Sequence, residues 1–155
     1  MKIWSYEEMK TLSPCVDVKQ EDLPEIKKLA EKMIETCVLG GGVGLAAPQV
    51  GANANMFIYS PDAKEFHIVI NPFYTPTEKK KIKSIEQCLS LDGEQFYYVE
   101  RNKYISTKYY SLSPDGSRLV EVKRRMQKNE AVVFQHEYDH LKGITLEDSG
   151  VKISE

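Results

Sequence analysis

Gln135-His136-Glu137-Tyr138-Asp139-His140 places two imidazoles four residues apart with a carboxylate beside the first. On a helix, residues at that spacing lie one above the other, so His136 and His140 could hold one divalent ion between them. Glu137 would then sit next to the ion, able to accept a proton from water activated there. Two of the chain's three histidines fall in this stretch. The bland alternative is a surface helix that happens to carry two histidines. The neighbours argue against it, since Ala131, Val132, Val133 and Phe134 make the segment apolar on several sides, the mark of a buried helix. A buried histidine pair needs polar partners or a metal. Asn129 is expected to cap this helix and Gly143 to stop it. His67 lies in an apolar strand-like run and reads as an ordinary strand residue rather than a fourth ligand.

A catalytic metal site wants three protein ligands and an open position. Any carboxylate or thiolate that folds back on the helix could supply the third. Glu86-Gln87-Cys88-Leu89-Ser90 stands out, because a thiolate beside two imidazoles suits zinc or ferrous iron. Spacing alone leaves Cys88 equally open as a core residue. A zinc endopeptidase would instead draw its third ligand from downstream, where Glu147, Asp148 and Glu155 are the carboxylates. The glycine-rich run Gly40-Gly41-Gly42-Val43-Gly44-Leu45-Ala46-Ala47-Pro48-Gln49 cannot continue a helix. It reads as a flexible loop or as a place where another backbone, a substrate's or a neighbouring strand's, comes close. It is not a phosphate loop, since no Gly-Lys-Ser/Thr follows.

These residues need a scaffold. A chain of 155 residues fits one domain spanning 1–155, and can bury roughly two thirds of its unfolded surface. A helix is signalled from Asp22, with Pro24 in its first turn, an apolar stripe at Ile26, Leu29, Ala30, Met33, Ile34 and Cys37, and Gly40 in the terminating role. Residues 1–20 read as an irregular arm. Strands are expected at Met56–Tyr59 and Phe66–Ile70, closed by Asn71-Pro72, then at Lys81–Ile85, Phe96–Val99, Lys103–Tyr110 and Ser117–Arg125. Ser113-Pro114-Asp115-Gly116 would join the last two. The clustered tyrosines (Tyr97, Tyr98, Tyr104, Tyr109, Tyr110) fit strand packing better than a nucleic-acid platform, for they lack basic interleaving.

Composition narrows the function. With 41% hydrophobic and 28% charged residues the chain resembles ordinary globular proteins. Net charge −2 and a pI near 6.0 give no electrostatic case for nucleic acid or an anionic membrane. No apolar run is long enough to span a bilayer, and the N-terminus has no export signal, so a cytoplasmic protein is expected. Three irregularly spaced cysteines imply reduced thiols, with Cys15 inert and Cys37 in the core.

Gly42-Val43-Gly44-Leu45-Ala46-Ala47-Pro48-Gln49, Glu86-Gln87-Cys88-Leu89-Ser90 and Gln135-His136-Glu137-Tyr138-Asp139-His140 together resemble the three motifs of the peptide deformylases, in that family's order. The resemblance covers nearly the whole chain. It implies an α+β fold with antiparallel or mixed strands wrapped around a central helix carrying His136 and His140. It implies hydrolysis of the N-formyl group from the formyl-methionine of nascent polypeptides, in the cytoplasm (a host's, if the chain is phage-encoded). Carried over by position, Cys88, His136 and His140 become metal ligands and Glu137 the catalytic acid–base. Gln49 and the Leu89 N–H would face the oxyanion. Gly42, Val43, Gly44, Gln87, Val132 and Val133 would line the substrate groove, and Glu86 would pair with Arg101. Ferrous iron is the implied cofactor, with zinc or nickel fitting the same ligands. The implied partners are formyl-methionyl peptides and transiently the ribosome, with no nucleic acid and no membrane.

Three departures accompany the resemblance. Gln87 stands where the family usually has glycine, and its side chain would project at the groove mouth. No arginine occurs around Gln95-Phe96-Tyr97, where the family often has one that contacts substrate. The chain ends twelve residues after Gly143, as in short phage-encoded members. The readings left beside a deformylase are a zinc endopeptidase and a non-catalytic metal- or peptide-binding protein.

Overall fold

The apolar stripe after Asp22 folds as the longest helix of the computed structural model, which describes residues 1–91 and 95–153. This helix, α2 (Leu23–Leu39), follows a short helix α1 (Tyr6–Met9) in the arm. Ile26, Ala30, Met33 and Cys37 are its buried face. Asp22 and Gly40 stand at its two ends, though not in the capping roles expected of them. The Asp22 carboxylate accepts from the Lys19 N–H of the preceding 3-10 turn instead of capping α2, and Gly41 at φ 71°, not Gly40, takes the left-handed turn. The arm is also less irregular than its sequence suggests, since Ser5 and Glu8 form a reciprocal capping box on α1.

Eight strands follow: β1 (Gly44–Ala46), β2 (Met56–Tyr59), β3 (His67–Pro76), β4 (Lys81–Glu86), β5 (Tyr97–Asn102), β6 (Tyr104–Leu112), β7 (Leu119–Gln127) and β8 (Gly150–Lys152). They make a five-stranded sheet in the order β1-β2-β3-β6-β7 and a three-stranded sheet in the order β4-β5-β8. Every ladder between these strands is antiparallel. Asn71-Pro72 does not close a hairpin. It forms a bulge inside β3, with Asn71 at φ 51° and its side-chain amide bonded to both backbone groups of Val18. The bulge thereby ties the arm to the large sheet. Ser113-Pro114-Asp115-Gly116 does join β6 to β7, with Gly116 at φ 75°.

The helix of the histidines, α3 (Lys128–Leu141), lies between the two sheets. It starts one residue before Asn129, so Asn129 sits in the first turn rather than capping it. Lys128, at φ 52°, turns β7 sharply into the helix, and Gly143 at φ 77° ends it as expected. Phe134 anchors α3 on the large sheet, its ring within about 5–6 Å of Phe57, Tyr59, Tyr74 and Tyr109. On the other side Gln135 fixes it to the end of β5. Its amide accepts from the Asn102 N–H at 3.0 Å and donates to the Asn102 carbonyl at 2.8 Å. A short helix α4 (Leu146–Ser149) leads into β8. Among the described residues no helix is long and apolar enough to cross a membrane.

Candidate metal centre

Helical spacing and the wedge between two sheets bring His136 and His140 together inside the protein. Their Nε2 atoms are 3.2 Å apart, and Cys88 Sγ lies 3.4 Å from that of His140. Cys88 arrives from the turn that follows β4, so α3 and the small sheet each contribute to one cluster. Among the described residues, these three form the one group of metal-ligating side chains, with donor atoms all within 4.8 Å. Glu147 and Asp148 are not part of it. Asp148 instead caps α4 by accepting from the Thr145 N–H, and Glu155 lies outside the described residues.

The outer nitrogens show that the group is built for a cation. His136 Nδ1 faces Glu86 Oε1 at 2.7 Å, and His140 Nδ1 faces the Ile144 carbonyl at 3.1 Å. Both partners can only accept, so each Nδ1 carries the hydrogen and each Nε2 turns its lone pair toward Cys88. Two lone pairs and a sulfur, largely withdrawn from water, repel one another unless a positive charge sits among them. Burial works against a charged His136, but the Cys88 sulfur, Glu137 and Glu86 outweigh it and push the ring up to about 10. The Cys88 thiol is held well below its usual range by both histidines, against the effect of burial. The residues fit a divalent ion held by one thiolate and two imidazoles.

Glu86 is itself held. Arg101 Nε and Nη2 donate to its two oxygens at 3.0 and 2.8 Å, and Arg101 Nη1 donates to Asp139 at 2.6 Å. The pairing of Glu86 with Arg101 matches expectation. Asp139 was missed, although its place between His136 and His140 on one helix was a signal that it would face the same β-strand.

Glu137 lies 4% exposed beside the cluster. Its Oε1 is buried with no hydrogen-bond partner among the described residues, and Oε2 lies 4.0 Å from His136 Nε2. Burial pushes the carboxyl up to about 7, against the pull of the two histidines. A carboxyl with a free oxygen and a pKa near neutrality can both take and return a proton.

The glycines of the first motif do let a neighbouring strand come close, since Gly44 pairs with Tyr59 of β2, and they also clear space for side chains. A Cβ on Gly44 would stand 2.5 Å from Glu137 Oε2, and one on Gly42 would stand 2.8 Å from a Leu89 methyl. They make room for the protein's own Glu137 and Leu89. The run is also no flexible loop, for it forms β1 and a 3-10 turn that buries Gln49. Gln49 Oε1 accepts from the Ala46 N–H, and Nε2 donates to Ser90 Oγ at 3.1 Å and to Cys88 Sγ at 3.3 Å. Ser90 was a further omission.

A groove of about 380 Å³ opens in front of the cluster. Gly40–Gly44 form one wall, Ser84–Leu89 the other, and Val132, Val133, His136 and Glu137 the floor. All the expected groove residues are therefore gathered, Gln87 among them with its side chain exposed at the opening. Ser84 and Asn129 also line it and were not anticipated. His67 is not among the residues of the cluster or of the groove; it stacks on Tyr59 with ring centres 5.3 Å apart.

Comparison with known proteins points to one family. The sequence profile of the family described as polypeptide deformylase matches residues 1–154. A peptide deformylase of Desulforudis audaxviator is 34% identical over 130 residues, 84% of this chain and 80% of that one. One from Thermus thermophilus is 37% identical over 139 residues, covering 80% and 69% of the two chains. The crystal structure of peptide deformylase from Thermotoga maritima superposes with a TM-score of 0.82 at 33% identity, covering 99% of this chain and 97% of the other.

Proposed function

The chain belongs to the polypeptide deformylase family, metal-dependent hydrolases that remove the N-formyl group from nascent peptides, and from that premise we propose the role of each residue. Cys88, His136 and His140 hold the ion. When bound, it polarises the formyl carbonyl and brings water toward a pKa of about 7. We take ferrous iron as the native ion; zinc and nickel suit the same thiolate–imidazole set.

Glu137 is the general base and acid. Its buried Oε1, without a hydrogen-bond partner among the described residues, is the observation that carries this reading. It takes the proton of the attacking water and hands it to the departing amine nitrogen, which leaves formate and a free N-terminus. Gln49 and the Leu89 N–H stabilise the oxyanion. Of the two contacts made by Gln49 Nε2, the one to sulfur is the longer, and it is the one that turns to the substrate oxygen. Loss of one such donor costs on the order of 10²–10³ in rate in other hydrolases.

The peptide lies along the wall of Gly42, Val43 and Gly44 as an added strand, held by main-chain bonds that tolerate many sequences. The methionine side chain packs on Val132, Val133 and the face of His136. Gln87 narrows the mouth and restricts the residues that follow methionine. Glu86 and Arg101 orient His136 without touching substrate. The chain acts as one domain, 1–155, in the cytoplasm, meeting its substrate at the ribosome only in passing.

Among the described residues the endopeptidase reading has no downstream ligand in the cluster, and the non-catalytic one leaves a buried carboxylate oxygen without a partner unexplained. The test is formate release from formyl-Met-Ala-Ser by anaerobically prepared, iron-loaded protein beside Glu137→Gln. Turnover in the first, lost in the second, is expected. A protein that binds iron and releases no formate would overturn the proposal.

A further inference from the structure

The small sheet carries an apolar row on its outer face, directly across its three strands. Ile85 of β4 pairs with Tyr98 of β5, and Tyr98 pairs with Val151 of β8. Their neighbours along the strands face the other way, and Glu86, Tyr97 and Val99 are buried. The three side chains of the row are 60%, 36% and 71% exposed. Cross-strand partners stand about 5 Å apart on a shared face, so the three form one continuous surface. The next outward row, Lys83 opposite Glu100, is charged and bounds it. Lys83 Nζ lies 4.2 Å from the centre of the Tyr98 ring. Single exposed apolar residues are ordinary, whereas a contiguous row marks a place where something docks.

Ile85 also lines the groove, so the row starts in the groove wall. It precedes Cys88 by three residues, at most about 10 Å of chain. An extended peptide whose formyl group sits beside Cys88 therefore reaches Ile85 at about its third residue. From there the row crosses two strand spacings, about another 10 Å, enough for roughly three further residues. A partner protein needs more, because a stable interface buries roughly 800 Å² on each side and three side chains offer less. We propose that this row receives the substrate's own chain from about the fourth residue to the sixth, favouring formyl peptides that are apolar there. The inference rests on the deformylase reading and on the groove as the substrate's path. Tyr98 and Val151 do not line the groove, so they act on affinity for long substrates and not on the reaction itself.

The test compares formate release by iron-loaded protein from formyl-Met-Ala-Ser and from two hexapeptides that extend it, one by leucines and one by serines. With wild-type protein the leucine peptide should show a KM about fivefold below that of the serine peptide, at similar kcat. In Tyr98→Ser/Val151→Ser the two KM values should converge, while formyl-Met-Ala-Ser turns over as in wild type. Equal KM values in wild type, or a difference that survives in the variant, would overturn the inference and leave the deformylase reading standing. No formate from any of the three peptides would overturn both. Val151→Ser alone, at the most exposed of the three positions, should remove part of the difference. It keeps the result decisive should the double variant fail to fold. Sedimentation showing wild-type dimers that Val151→Ser dissolves would assign the row to a second copy of the chain and overturn the inference.

Discussion

Glu86 faces His136 Nδ1 at 2.7 Å while Arg101 grips both its oxygens, so the direction of the His136 ring is set from the neighbouring sheet. Glu86→Gln keeps the shape and removes the charge that holds the ring. Metal affinity should fall about 10–100-fold with little loss of fold, as read by competition with a chelator. Arg101→Ala is different in kind, because it leaves Glu86 and Asp139 without their buried partner. It should cost about 3–5 kcal/mol in urea unfolding.

Gly44→Ala should act on rate more than on stability. The new methyl would stand 2.5 Å from Glu137 Oε2 and push the proposed acid–base group out of line. A displacement of that order costs about 10² in rate. Gly42→Ala meets a flexible Leu89 side chain and should cost less. Steady-state kinetics on the two variants, with metal content measured, would show the ordering.

Phe134 joins four aromatic rings of the large sheet and carries no chemistry. Phe134→Ala should destabilise the protein by about 3–5 kcal/mol. Because this contact anchors the metal helix, the variant's catalytic loss should track the unfolded fraction rather than exceed it, measurable by activity and circular dichroism along one thermal ramp.

Asp115 supplies a pH signature outside the centre. The Ser117 hydroxyl and N–H and the Ser113 hydroxyl bond its carboxylate and lower it from the ordinary 3.8 to about 2. The group binds its proton less readily folded than unfolded, so its stabilisation is present above about pH 4 and fades between about pH 4 and 2. The stability gap between wild type and Asp115→Ala should therefore narrow with acid over that range in denaturant titrations. A gap independent of pH there would show that the turn does not depend on the charge.

Much of this architecture was legible because periodicity reports burial. The stripe of α2 and the near-complete apolar surface of α3 placed both helices, and the spacing of His136 and His140 placed their shared face. The β6–β7 turn was readable because Asp115-Gly116 has specific backbone chemistry. Contacts made across long sequence separations were not legible. Nothing local to Asn71 announces a bond to Val18, and a Pro after Asn reads as an end where tertiary contacts made a bulge. Cys88 came from family resemblance, since no spacing rule links it to His140, 52 positions away. Ser90 and Asp139 act only through partners that the fold supplies. The glycines were recognised as a site of close approach, but what approaches them could be seen only once α3 was in place.

The three proposed ligands come from two segments that share no local structure, and the small sheet beside Cys88 is itself completed only by β8. Pairings of such range make folding slow, because loop-closure entropy is spent before the contacts repay it. No partly folded fragment can offer the full donor set, so metal capture comes after folding and not before it. The ion then acts as a lock on a finished structure: its removal should speed global unfolding, whereas its presence during refolding should leave the folding rate unchanged.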